Sequence, residues 1–256
     1  MIATTQAQID ALREGGKRLA RHVRILSEMV APGVTALEIE MKARKLVSDE
    51  GDTMAFYQYR TRKGDEPYPS GLCLSINEAL VHSPAATNGR TIQEGDVVKL
   101  DFGIKHAGYF TDHAVTVIAG KSRAESDLVL LRGTQEALAV GIEAAQLGNT
   151  TGDIGHAVEV VADFHGFGYP RNLSGHGVGT AVHEEPYVPN FGAPGSGEVL
   201  VEGLVIAIEP MMTLGNGALT IGPDGHAYCT KDGSRSAHFE HTILITKDGP
   251  EILTVE

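Results

Sequence analysis

Val97-Val98-Lys99-Leu100-Asp101-Phe102-Gly103-Ile104 and, after Lys105 to Gly108, Tyr109-Phe110-Thr111-Asp112-His113-Ala114-Val115-Thr116-Val117-Ile118 are the stretches on which the fold turns. Both are rich in β-branched and aromatic residues, and the link between them is short enough to make an antiparallel hairpin. Each also carries a lone aspartate in text that otherwise asks for burial.

Upstream of the hairpin, Ile9, Leu12, Leu19, Val23, Ile25 and Leu26 recur at close to helical spacing, and Pro32-Gly33 ends the run, which predicts an amphipathic helix over 6–30. A second helix is expected from Thr35, an N-cap with Glu38 as its capping-box partner, to about Gly51. Downstream the plan recurs: a helix over 126–147, then Thr151, Ile154, Val158 and Val161 in another that closes at Gly166. Shifted by 115 positions, Gly33, Thr35, Glu38, Ile39 and Gly51 fall on Gly148, Thr150, Asp153, Ile154 and Gly166. Further strands are expected at Leu72 to Ile76, Leu204 to Met212 and Phe239 to Thr246, with 192–197 and 214–225 as glycine-rich loops. Helices and antiparallel strands mixed in this way make an α+β chain of 1–256, a single domain whose halves run over about 6–120 and 125–256 with a cleft between them.

Composition excludes several classes. With 42% hydrophobic and 21% charged residues in 256, the chain is neither disordered nor fibrous. Its net charge of −12 makes DNA, RNA and anionic membrane surfaces poor partners. Two cysteines, Cys73 and Cys229, suit free thiols in a reducing compartment. The first thirty residues hold charges throughout, and no apolar run approaches the roughly 20 residues of a membrane helix. A soluble, cytoplasmic protein is expected.

Four carboxylates stand on or beside apolar strands: Asp101, Asp112, Glu209 at the end of Leu204-Val205-Ile206-Ala207-Ile208, and Glu240 at the start of His241-Thr242-Ile243-Leu244-Ile245. Read singly, each is equally a salt-bridged strand end. As a set they need cations, because an isolated buried carboxylate costs several kcal/mol and no matching set of arginines or lysines interrupts the same strands. Two divalent ions would balance four such groups. The oxygen-rich set favours manganese, iron(II) or cobalt, with zinc not excluded by affinity. His176, between glycines in Ser174-Gly175-His176-Gly177-Val178-Gly179, is a fifth candidate ligand on a tight segment; His82 and His183 have no ligand spacing of their own.

The order of these five residues, with Ser75-Ile76-Asn77-Glu78 before His82, His183-Glu184-Glu185-Pro186, Ile208-Glu209-Pro210-Met211 and Ser236-Ala237-His238-Phe239-Glu240-His241-Thr242, resembles the pita-bread metallopeptidases, and among them the type I methionine aminopeptidases. The resemblance runs from about residue 6 to the end. It implies a pita-bread fold of two pseudo-symmetric halves, with helices outside antiparallel sheets and a central dimetal cleft. It also implies that Asp101 chelates one metal ion, His176 and Glu209 the other, and that Asp112 and Glu240 bridge them. A hydroxide bridging the ions would attack the first peptide carbonyl, with His82 and His183 hydrogen-bonding the substrate and Glu209 shuttling the proton. Tyr68 and Cys73 resemble walls of the methionine pocket. The implied activity is removal of the initiator methionine from peptide or nascent-protein N-termini by a monomer in transient association with the ribosome.

Several positions depart from the family pattern: Val182 where an aromatic is common, His226 where tryptophan is, Ser83-Pro84-Ala85 after His82, and a charged stretch from Arg60 to Glu66 beside the pocket. They bear on side-chain preference and leave open an X-Pro aminopeptidase or dipeptidase, or a non-catalytic binding protein on the same fold.

Overall fold

The computed structural model describes residues 1–60, 64, 66–87 and 89–256. Two helices, α1 (Gln6–Glu28) and α2 (Ala36–Asp49), are followed by β1 (Thr53–Met54), β2 (Leu72–Ile76), β3 (Ala79–Val81) and the long hairpin β4 (Val97–His106) and β5 (Tyr109–Ile118). Next come α3 (Glu125–Ala144) and α4 (Thr151–His165), then β6 (Ser174–Gly177), β7 (Glu184–Pro189), β8 (Val205–Ile208), β9 (Met211–Thr213), β10 (Leu219–Ile221), β11 (Tyr228–Thr230), β12 (Ser236–His238), β13 (Glu240–Thr246) and β14 (Gly249–Ile252).

Local signals set the helix starts. Thr35 and Glu38 close a reciprocal capping box on α2, and Thr150 and Asp153 close another on α4, which ends at Gly166 in the left-handed conformation. Helix α1 turns Leu12, Leu19, Val23 and Leu26 inward, one stripe at helical spacing.

Among the described residues the main sheet has nine strands, in the order β1-β4-β5-β13-β8-β6-β7, with β2 also paired to β4 and β14 to β13. Every pairing in it is antiparallel. Its helix-facing side is packed by two apolar clusters. Leu19, Val23, Ile39 and Ala43 meet Leu72, Leu74, Leu100 and Phe102 in one; Leu138, Ile142, Ile154 and Val158 meet Ile206, Ile208, Ile243 and Ile245 in the other. This is the mixed helix and antiparallel-sheet plan of the pita-bread fold.

Two sequence expectations change and a third gains detail. The strand expected over Leu204 to Met212 is broken into β8 and β9, because Pro210 has no N–H to donate to a ladder and the chain leaves the main sheet to pair with β12. The tight segment expected to present His176 is strand β6, paired on both sides by β7 and β8. The glycines beside His176 are there for space: a Cβ at Gly175 would stand 2.3 Å from the Ala207 carbonyl oxygen, and one at Gly177 2.2 Å from that of Glu185. The loop expected over 214–225 contains β10, the edge of a small sheet with β11 and β3. Cys73 and Cys229 are both free thiols.

Candidate active site

Strand register alone gathers the acids on one face. Asp101 on β4 is opposite Ala114 on β5, and Ala114 is in turn opposite Glu240 on β13, so Asp101 and Glu240 flank a small residue. Asp112, two residues from Ala114, shares that face and is opposite Gly103 on β4. His176 on β6 is opposite Ala207, which is opposite Thr242, and Glu209 follows β8 two residues beyond Ala207. Glycine and alanine between the acids leave their carboxylates room to converge.

They do converge. Ligand atoms of Asp112, His176 and Glu240 all lie within 4.8 Å of one another, and all three residues are buried. Glu209 Oε1 is 3.3 Å from His176 Nε2, and Glu209 Oε2 is 3.5 Å from His238 Nε2. Asp112 is pinned through its backbone: its N–H donates to Thr242 Oγ1 (2.9 Å), and the Thr242 hydroxyl donates to its carbonyl (2.7 Å). The His176 Nδ1–H donates to the Gly177 carbonyl (3.0 Å), an assignment that leaves the Nε2 lone pair facing Glu209.

Burial dominates the electrostatics. It raises the Asp112 carboxyl from 3.8 to about 7 and holds Asp101, Glu209 and Glu240 well above the ordinary carboxylate range, with the neighbouring acids adding to the effect on those three. Burial equally lowers His176 to about 4 and His183 to about 3. The His82 ring opens onto the cavity, yet the protein around it lowers it to about 4.

Among the described residues, the ion pairs made by these four acids are those of Glu209 with His176 and His238. Lys99, buried two residues before Asp101, points its ammonium at neutral oxygens instead: Asn77 O (2.8 Å), Ser236 Oγ (3.2 Å) and Val97 O (3.4 Å). Four acids and an imidazole lone pair, gathered with no lysine or arginine partner among the described residues, are a donor set suited to divalent cations.

A cavity of about 870 Å³ opens over this cluster, and its lining includes Asp101, Asp112, His176, Glu209 and Glu240 together with His82, His183, Tyr68 and Cys73. The structure thus brings every site residue singled out in the sequence to one place. The His183 ring meets that of His176 edge-on at 4.4 Å, and its Nδ1 is 2.8 Å from the Tyr59 hydroxyl. His82 follows β3 at φ 62°, a strained value for a residue with a side chain, and its ring sits edge-on to Tyr228. The Tyr68 hydroxyl donates to Cys73 Sγ at 3.1 Å, and burial pushes the Cys73 thiol well up, so it serves as a neutral wall. Val182 packs with Ala55, Phe56 and Cys73, while His226 meets Tyr68 edge-on. Of the stretch from Arg60 to Glu66, residues 61–63 and 65 lie outside the described residues; Glu66 lines the cavity.

Sequence reasoning passed over Tyr59, Thr242 and His238. Thr242 and His238 stand within the quoted motif around Glu240, whereas Tyr59 carried no signal.

Comparison with known proteins follows the same line. The model of metallopeptidase family M24 matches residues 10–247. A methionine aminopeptidase of Aquifex aeolicus is 44% identical over 253 residues, covering 98% of this chain and 97% of that one. The crystal structure of a methionine aminopeptidase from Thermotoga maritima superposes with a TM-score of 0.93 at 38% identity, covering all of both chains. A prolidase from Pyrococcus horikoshii, 23% identical, has a TM-score of 0.76; the match covers all of this chain and 64% of the prolidase, and shows a shared fold alone.

Proposed function

This chain belongs to metallopeptidase family M24, and from that premise we propose that it is a methionyl aminopeptidase that removes the initiator methionine from peptide and nascent-protein N-termini. The observation that carries the reading is the buried convergence of Asp112, His176 and Glu240, with Asp101 and Glu209 lining the same cavity and, among the described residues, no lysine or arginine paired with them.

In this reading Asp101, Asp112, His176, Glu209 and Glu240 would hold the divalent cations, Asp101 on one side of the site, His176 and Glu209 on the other, and Asp112 and Glu240 shared between them. Bound cations supply Lewis acidity and make water acidic enough to act as a nucleophile near neutral pH. Manganese, iron(II), cobalt and zinc are the candidates.

The chain's own groups do the rest. With its Nδ1 accepting a hydrogen bond from the Tyr59 hydroxyl, neutral His183 carries its N–H on Nε2 and donates a hydrogen bond from it to the substrate carbonyl oxygen as negative charge develops there. His82 orients the free amine region, which limits cleavage to the first peptide bond. Glu209 takes the proton of the attacking water and passes it to the leaving amine. Tyr68, Cys73 and Phe56 form the apolar wall against which a thioether side chain packs. Residues 1–256 act as one catalytic domain, its halves of about 6–120 and 125–256 enclosing the site.

Among the described residues no helix is long and apolar enough to cross a membrane. We place the activity in the cytoplasm, carried out by a monomer in transient association with the ribosome.

The test is peptide profiling of purified protein loaded with manganese, cobalt or iron(II). Release of methionine from Met-Ala-Ser-type peptides is expected. Cleavage of X-Pro substrates alone would assign the other specificity in the fold family, and metal binding without any cleavage would make the chain a binding protein.

A further inference from the structure

Glu209 lies between two imidazoles of different standing. His176 has committed its Nδ1–H to Gly177, so the nitrogen it turns to Glu209 Oε1 is a lone pair, a ligand and not a donor. His238, on the other side, has both ring nitrogens buried and without a hydrogen-bond partner, and its Nε2 is 3.5 Å from Glu209 Oε2. A neutral imidazole must carry one N–H, and a buried donor left unpaired is rare in folded proteins.

The backbone holds that ring where it is. His238 N–H donates to Thr116 Oγ1 (2.9 Å), the Thr116 hydroxyl donates back to the His238 carbonyl (2.6 Å), and His238 is opposite Met211, two residues after Glu209. Glu209 is fixed at its own carbonyl by Asn190 Nδ2 (3.0 Å). Both backbones are therefore anchored, which sets the His238 ring beside the Glu209 carboxylate.

We propose that His238 is a positioning residue: its Nε2–H donates to Glu209 Oε2, fixing that carboxylate so that Oε1 and His176 Nε2 face the same cation. This rests on the metal-site reading above. A donor behind a ligating carboxylate orients it and sharpens its affinity, although it touches neither cation nor substrate.

Three variants test it. His238→Gln keeps an N–H where Nε2 was, His238→Asn places its amide nitrogen one bond short, and His238→Leu removes the donor. Metal-stripped proteins, checked for native circular dichroism, are titrated with cobalt(II) by calorimetry, and the visible absorption of the saturated forms is recorded.

The Leu and Asn variants should bind cobalt about 10- to 100-fold more weakly, with Gln restored to near wild type. The absorption bands of all saturated forms should coincide, since the ligands are unchanged, and kcat should fall in Leu and Asn with KM held. Wild-type affinity in Leu and Asn, or no restoration by Gln, overturns the proposal. A changed spectrum in saturated Gln also overturns it, because His238 would then be a ligand itself. Failure of the wild-type protein to bind cobalt would instead bring down the metal-site reading and this proposal with it.

Discussion

Asp112 sets the terms on which protons and cations compete. Its folded pKa of about 7 stands above the ordinary 3.8, so the native chain binds this proton more tightly than the unfolded one. By linkage, the stability it lends the metal-free protein is present at low pH and lost as pH rises through about 7. Cations need the ionised carboxylate and must displace that proton, whereas His176, at about 4, is already neutral and releases none. Apparent metal affinity should therefore rise with pH through 7. Calorimetry in buffers of different ionisation enthalpy should detect proton release at pH 7, from Asp112 and from the three other acids that burial holds well above the ordinary range; none at pH 7 would contradict this account. His183 plays a different part: His183→Ala should leave cobalt binding intact and lower kcat roughly 10²- to 10³-fold, as loss of an oxyanion donor does. Asp112→Ala and Glu240→Ala should abolish turnover and weaken cobalt binding together, and near-normal rates in either would remove the bridging roles. The acids were legible because each interrupts an apolar run. Tyr59 was not, because its contact with His183 spans 124 positions and follows no period.

At the scale of elements, what could be read was whatever is decided locally. The capping box at Thr35 is a four-residue signal, and α2 begins where it predicts; Thr150, its counterpart 115 positions on, closes a like box with Asp153 at the start of α4. The hairpin β4–β5 was equally plain from composition and loop length. Strand β6 was hidden, since Ser-Gly-His-Gly has little intrinsic preference for a strand and is made one by neighbours on both sides. The same crowding gives a test. Gly177→Ala puts a methyl group 2.2 Å from the Glu185 carbonyl oxygen, which must push β6 from β7 and tilt His176. Cobalt affinity should drop about 10-fold or more, in line with the misorientation of a ligand. Thr35→Ala, as a contrast, should cost roughly 1 kcal/mol of stability and leave affinity unchanged. If both variants changed affinity alike, the effect would belong to general destabilisation.

Across the whole molecule, β13 joins what the helices keep apart, pairing with β5 on one side and β8 on the other. The cluster under α3 and α4 takes Ile243 and Ile245 from that strand, and the sheet over the other cluster continues into it through β5. Heating should thus melt metal-free protein in one cooperative transition, with calorimetric and van't Hoff enthalpies equal; two separate transitions would show that the halves fold independently. A bound cation at a hundredfold excess over its Kd should add about 2.7 kcal/mol per site, on the order of 5–10 °C in Tm for a chain of this length. The pairing of distant strands was the least legible part of the fold, since nothing near residue 240 announces a partner near residue 114. The late position of Glu240 has a biological corollary. A copy broken off before that residue, by stalled synthesis or by proteolysis, holds Asp101, Asp112 and His176 but never acquires their final acidic companion. On the role proposed for Glu240, a chain ending at Phe239 should release no methionine from Met-Ala-Ser-type peptides.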